Sequence, residues 1–193
     1  EGDYTQKYSD GSSDAWEGEN FDILSPYGAL SWQIGVGNGI TITPSFGARF
    51  YSHSQYSDEL APHAGIAASF GRFEAHMGYS RGVVYPGLEV AVMSQDVLPI
   101  LGDSWKDLDP ETVDHYEIGF SVSPTRQTLL DLVLFYEDGN DRYVIVPYAS
   151  GVKPHYDNVE EFTIKGLEAT ATWQPASNFS LFGGVTLLDP DPW

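Results

Sequence analysis

Three histidines, His63, His76 and His115, lie in a 193-residue chain near the carboxylates Glu74 and Glu117. An imidazole beside a carboxylate can move a proton or hold a metal ion, so hydrolysis and metal binding are the first chemistries to test. Hydrolysis also needs a nucleophile with an adjacent base and an orienting acid. The spacing assembles no such set, and isolated polar residues on one strand face are the preferred reading. The chain is therefore expected to be no enzyme, with no catalytic, cofactor-binding or metal residue. Glu137-Asp138-Gly139-Asn140-Asp141 could ligate calcium through loop oxygens. It lacks the later bidentate acid of an EF-hand loop, and an ordinary polar turn is preferred. Asp103, Asp107 and Asp109 are discounted in the same way. Gly35-x-Gly37-x-Gly39 is no phosphate loop, because strand-like rather than helical sequence follows it.

Charge narrows the partners. Nine Lys+Arg against 28 Asp+Glu give a net charge of −19, which repels phosphate backbones and excludes nucleic acid. The acids gather in residues 1–22 and 103–114, as in solvated loops. There is no cysteine, so disulfides and thiolate metal sites are excluded. Apolar residues at 41% and aromatics at 14% are too many for a disordered chain. No apolar run is long enough for a transmembrane helix, and no secretion signal is legible from Glu1 onward. A barrel stays open, because only alternate residues of its strands face lipid.

The elements that must position these residues are strands. From Ile40 to Phe50 one parity reads Ile, Ile, Pro, Phe, Ala, Phe and the other Thr, Thr, Ser, Gly, Arg. That length suits a tilted membrane strand of roughly 9–11 residues, although Pro44 must cost a ladder bond. Across Gly35–Gly39, Ile34 is expected opposite Ile40, Trp32 opposite Ile42 and Ser25 opposite Arg49. A second hairpin turns at Gly71-Arg72, with Phe70 meeting Phe73, Ile66 meeting Met77 and His63 meeting Ser80. A third turns at 123–127, setting Phe120 against Leu130 and Ile118 against Leu132. A fourth turns at 174–178, pairing Trp173 with Phe179 and Ala171 with Leu181.

Short turns alternate with longer connections at 53–61, 81–111 and 138–160, the last with a short extra strand at Tyr143–Tyr148. This is the layout of an outer-membrane barrel, whereas a soluble barrel or sandwich would pack its apolar face into a core. The expected fold is all-β: an antiparallel up-and-down meander of about eight strands, part of an outer-membrane β-barrel or a small version of one. It forms a single domain over 1–193, with an acidic loop or arm at 1–24 and four hairpins over 25–190. Tyr27, Trp32, Phe50, Tyr51, Tyr79, Tyr85, Tyr136 and Trp173 suit interfacial girdles or ordinary strand positions equally.

Met77-Gly78-Tyr79-Ser80-Arg81-Gly82-Val83-Val84-Tyr85-Pro86-Gly87-Leu88 resembles the "YSRGFRAPSL"-like segment of TonB-dependent receptor barrels. Leu108-Asp109-Pro110-Glu111, running on to Tyr116-Glu117-Ile118-Gly119, is similar to their "L-x-P-E-x-x-x-x-Y-E-x-G" segment. Leu134-Phe135-Tyr136 with Asp141, Asn158, Lys165-Gly166-Leu167-Glu168 and Trp173-Gln174-Pro175 resemble later family pieces in the same order. The resemblance implies the bacterial outer membrane, and a wall through which a siderophore, cobalamin or similar scarce nutrient passes. Its implied partners are outer-membrane lipid, an iron–siderophore or other small nutrient, and the TonB complex acting through a plug domain. Family barrels have roughly 22 strands around a plug. No plug-like segment or TonB box is recognisable here, so an internal portion is expected. The alternative is a self-contained eight-stranded barrel with a structural or binding role. Sheet edges left open would invite self-association.

Overall fold

A computed structural model describes residues 4–7, 13–16, 20–149 and 151–191. Short strands β1 (Tyr4–Lys7) and β2 (Ser13–Trp16) pair as a separate antiparallel hairpin. Everything else with strand geometry joins one antiparallel sheet of ten strands. In chain order these are β3 (Ile23–Leu24), β4 (Tyr27–Ser31), β5 (Ile34–Gly37), β6 (Ile40–His53), β7 (Glu59–Phe70), β8 (Phe73–Val84), β9 (Glu111–Thr125), β10 (Thr128–Val146), β11 (His155–Ala176) and β12 (Phe179–Asp191). Because β3, β4 and β5 all lie along one side of β6, the sheet is eight positions wide. Within the expected 1–24 arm, then, 4–7 and 13–16 form the hairpin and Ile23-Leu24 joins the sheet.

Pro44 explains one interruption. Ser31 pairs with Ser45 and Ile34 with Ile42, which places Trp32 opposite Pro44. Pro44 has no N–H to give, and the ladder breaks there, leaving only the Trp32 N–H donating to the Pro44 carbonyl at 3.3 Å.

The second hairpin has the expected register: Phe70 meets Phe73, Ile66 meets Met77 and His63 meets Ser80. The other three are displaced by two residues. Ile34 pairs with Ile42 rather than Ile40, Phe120 with Leu132 rather than Leu130, and Trp173 with Leu181 rather than Phe179. In each case the turn is two residues instead of five, with a bulge next to it. Asn38 and Gly39, with φ of 52° and 75°, make the first one; Asn-Gly favours that backbone because its twist matches the strands. A displacement of two keeps every side chain on its face, so the two-faced character survives.

The stretch 138–160 is strand rather than loop over most of its length. β10 continues to Val146 and β11 begins at His155, with Tyr143 paired to Asn158, so 147–154 alone connects them. Gly139, Asn140 and Asp141 are poor strand formers, but pairing with β11 overrides local preference.

Apolar side chains of alternate parity, Phe46, Phe50, Ile66, Met77, Ile118, Phe120, Leu132, Leu134, Leu181 and Leu187 among them, stand on one face and are exposed. Thr41, Thr43, Arg49, Glu74, His76 and Glu117 stand on the opposite, polar face. The sheet therefore has no core between its strands. The buried core lies where residues 85–110 fold back over the polar face at the long-loop end. This strap contains α1 (Leu88–Val92), a wide turn at Met93–Val97 and tight turns at Pro99–Leu101 and Ser104–Asp107. Val90, Ala91, Leu101, Trp105 and Leu108 pack with Tyr56 and Tyr156, and Trp105 is fully buried.

Candidate functional site

Two groups of side chains occupy the polar face. The first lies midway along β8, β9 and β10. His115 places Nδ1 3.1 Å from Glu137 Oε1 and Nε2 3.5 Å from Glu117 Oε2, while His76 Nε2 lies 3.7 Å from Glu117 Oε1. The result is a chain His76–Glu117–His115–Glu137 across three strands, with Phe135 stacked 5.8 Å from the His115 ring. Alternation brings these groups to one face, and register brings them to one level. The sequence pointed to His76, His115 and Glu117; it missed Glu137, which was assigned to a turn. His63 and Glu74 stand apart from the chain, His63 opposite Gly47 and Glu74 opposite Ser69 and Ser121.

Four rings on this face lie flat over glycines of a neighbouring strand. His63 covers Gly47, His76 covers Gly119, Phe135 covers Gly166 and Phe162 covers Gly139. Each is a directly opposed pair, and only a residue without Cβ leaves room for the ring. These glycines of the polar face are thus paved by their neighbours. The signal was legible once the register is known, since a ring faces a glycine in each case.

The chemistry of this face is limited. Ser80 registers between His63 and His115, but no hydrogen bond joins its hydroxyl to either ring among the described residues. Glu117 instead takes the nitrogen of His115 that a nucleophile would need. Among the described residues no three His, Asp or Glu side chains converge enough to hold a metal ion. Glu137 to Asn140 lie along β10, where successive side chains alternate between faces, so their oxygens do not converge as a calcium loop requires. Asp103 holds Lys106 at 3.1 Å, and Asp109 is clamped through its backbone by Asn158. What the face does offer is hydrogen-bonding hollows. One of about 330 Å³ has Thr43, Ser45, His63, His76, His115 and Glu117 in its lining, together with apolar residues such as Ile66 and Met77. Another of about 690 Å³ opens near the short turns beside Arg72, Glu74, Arg126 and Asp131.

The second group is the strap and its anchors. Tyr85 donates to the Ser57 carbonyl at 2.9 Å, Tyr143 to Glu89 Oε1 at 3.2 Å, and the Tyr156 N–H to Ser104 Oγ at 2.9 Å. Asn158 accepts from the Asp109 N–H and donates to the Asp109 carbonyl. Burial, followed by the charge of Glu89, pushes the Tyr56, Tyr143 and Tyr156 hydroxyls above the ordinary tyrosine value, Tyr56 well above it. Sequence reasoning missed this assembly, because the strap's helix is too short to show a period.

On the apolar face, Tyr79, Tyr116 and Tyr136 stand side by side on β8, β9 and β10, with ring centroids 5.1 and 6.2 Å apart. One step toward the long loops, Arg81 grips Asp114 through two bonds of 2.8 and 2.6 Å, and Tyr79 donates to the same carboxylate. An exposed apolar band ending in a tyrosine row and then a charged pair is the cross-section of a membrane wall.

The family model described as "TonB dependent receptor-like, beta-barrel" matches residues 1–192. The chain belongs to the TonB-dependent receptor β-barrel family. That family is one of transport receptors rather than enzymes. Among solved structures, the siderophore receptor PirA from Pseudomonas aeruginosa is similar at 17% identity and a TM-score of 0.64, over 93% of this chain and 33% of that one. A mutant of the ferric enterobactin receptor PfeA from the same organism is similar at 19% identity and a TM-score of 0.61, over 92% of this chain and 27% of that one. The alcaligin outer-membrane receptor FauA from Bordetella pertussis matches at 12% identity and a TM-score of 0.58, over 93% and 31%. The chain thus spans about a third or less of the length of these receptors. No curated protein matches it.

Proposed function

We propose that this chain is a stretch of the wall of a bacterial outer-membrane importer for an iron–siderophore, cobalamin or similar scarce nutrient. The observation that carries the reading is the two-faced sheet. Its apolar face is exposed over seven successive long strands, β6 to β12, with nothing among the described residues covering it, as suits a face turned to hydrocarbon. Its polar face would then line the lumen, with the strap and the connections 54–58 and 147–154 outside the cell, where ligand arrives. Energy would come from the TonB complex through a plug seated against the polar face. The histidines and acids there would bind or position rather than catalyse. A closed eight-stranded barrel finds less support, since no ladder joins β12 to β3, β4 or β5 among the described residues.

The test is genetic. In the organism that makes the protein, deleting the segment that encodes this chain should abolish growth on one siderophore, or on cobalamin, as sole source. An epitope placed in 147–154 should be accessible on intact cells. Unimpaired growth on a full panel of siderophores and on cobalamin would overturn the importer reading.

A further inference from the structure

The turn between β6 and β7 is closed at both ends by side chains. His53 Nδ1 accepts the backbone N–H groups of Gln55 at 3.1 Å and Tyr56 at 3.3 Å, while Asp58 Oδ1 accepts the N–H of His53 at 3.3 Å. A ring nitrogen that accepts two N–H groups carries no proton, so the proton of the neutral ring sits on Nε2. That atom is buried and meets no protein acceptor among the described residues. Three rings pack against it: Tyr85 stacks on it at 4.6 Å, and Tyr56 and Phe21 lie at 4.9 and 5.3 Å. Its exposure is 8%, and it follows the last outward apolar residue of β6, Phe50, so it lies above the apolar band.

We propose that His53 is an acid-sensitive latch: protonation of its ring releases the 54–58 turn and, with it, the strap formed by residues 85–110. A proton on Nδ1 would face two N–H groups, so both bonds are lost together, and a charge would be buried among aromatic rings. The turn holds the strap directly, through the Tyr85 hydroxyl on the Ser57 carbonyl and through Tyr56 in the core around Trp105. Freeing it detaches one side of the strap while the ties to β10 and β11 remain.

The charged and titratable groups around His53 are Asp58 in the turn, Glu59 at the start of β7, Asp22 before β3, and Tyr51, Tyr56 and Tyr85, with Glu89 beyond Tyr56. The carboxylates favour the imidazolium and burial opposes it. Burial prevails, leaving the ring's pKa below its usual value. For a group depressed in this way, the closed form keeps its full advantage above the free-histidine pKa of about 6.5 and loses it as pH falls below that value.

Hydrogen exchange of the whole chain in detergent micelles, from pH 7.5 to 5 and corrected for intrinsic rates, tests the latch. Amides of 54–58 and 85–110 should lose protection by up to about tenfold per pH unit as pH falls from about 6.5 toward the ring's own lowered pKa, the limit for one linked proton. Those of the β7–β8 hairpin should hold. His53→Gln keeps an acceptor but cannot take a proton, so its strap should stay protected at pH 5; Asp58→Asn should leave the pH dependence in place. Protection that is flat with pH in the natural chain, or a pH dependence that follows Asp58→Asn instead, would overturn the proposal. Should His53→Gln fail to fold, ring-nitrogen NMR of the natural chain decides it. The latch requires the Nε2–H form and titration below about 6.5, and is refuted by the Nδ1–H form or a higher pKa.

Discussion

Gly47 should be the least replaceable glycine on the polar face. It stands on β6 between Ala29 of β4 and His63 of β7. A Cβ there would lie 2.5 Å from the Gly28 carbonyl oxygen, 2.5 Å from His63 Cε1 and 2.9 Å from Ala29 Cα. The imidazole can swing away, but the carbonyl and Cα can retreat only if β4 leaves its ladder. Overpacking costs about 1–3 kcal/mol, and rigid backbone puts this case near the top. Exchanging glycine for alanine within a strand returns about 0.5–1 kcal/mol. The net for Gly47→Ala is therefore about 2 kcal/mol against the closed β4, or about 30-fold in its opening. Gly119→Ala is the control. The three atoms nearest its Cβ all belong to the His76 ring, which can move, and the half-exposed contact to Glu117 that would be lost is worth at most about 1 kcal/mol. The two terms nearly cancel, so opening should change by no more than about threefold. Hydrogen exchange in micelles reads both, on amides 27–31 for Gly47→Ala and on β8 and β9 for Gly119→Ala. Wild-type protection of β4 in Gly47→Ala, or an equal loss from Gly119→Ala, would refute the idea that backbone approach rather than ring contact makes the glycine necessary.

Trp105→Ala should cost the strap about 3–5 kcal/mol, because the side chain is fully buried in the strap's own core. Limited proteolysis should then cut within 85–110 and leave the strands whole; cuts throughout the sheet would show the two are not separable. Raising the pH should also free the strap: Tyr56, Tyr143 and Tyr156 are held protonated by burial, so the closed form is favoured up to the ordinary value of about 10 and loses ground as pH rises past it. Tyrosinate absorbance should show a late-titrating class that shrinks in Trp105→Ala, and a single transition near 10 for every tyrosine would contradict this. Finally, the isolated chain in lipid vesicles should give no steady conductance, because β12 offers an unpaired edge; a stable monomer passing small solutes would reverse that expectation.

Faces were legible in the sequence where register was not. Alternation along Ile40–Phe50 depends on each residue's own chemistry, whereas register depends on how tightly a turn closes, and a five-residue loop differs from a two-residue turn with a bulge by two steps. Gly71-Arg72 carried its own answer, with Phe70 and Phe73 on either side as stacked rings 5.5 Å apart. Asn38-Gly39 carried one too, hidden among three glycines. The His76–Glu117–His115 row was half visible for the same reason: each residue's parity is local, but Glu137 joins only through the β9–β10 register. His53 left no trace in the sequence, since its importance rests on two backbone amides and three rings that come together only when the strap folds over them.

The division between strap and wall has a mechanical consequence. Each wall strand between the two edge positions is held by ladders on both sides and by whatever covers the apolar face, so its stability comes from neighbours along the sheet. The strap has no ladder of its own. Its few buried side chains, Trp105, Val90, Ala91, Leu101 and Leu108, pack with Tyr56 and Tyr156 of the wall, and its hydrogen bonds to the wall are few: one each through Tyr85, Tyr143 and Ser104, and two through Asn158. A unit with a small core and few tethers opens at a lower free energy than the sheet beneath it. Motion at the long-loop end therefore need not disturb the register below. The polar row from His76 to Glu137 is held by contacts among its own members, so it would keep its geometry whether the strap is down or released. On the proposed function, that separation would let the end that meets ligand move while the part in the bilayer keeps its strand edges paired.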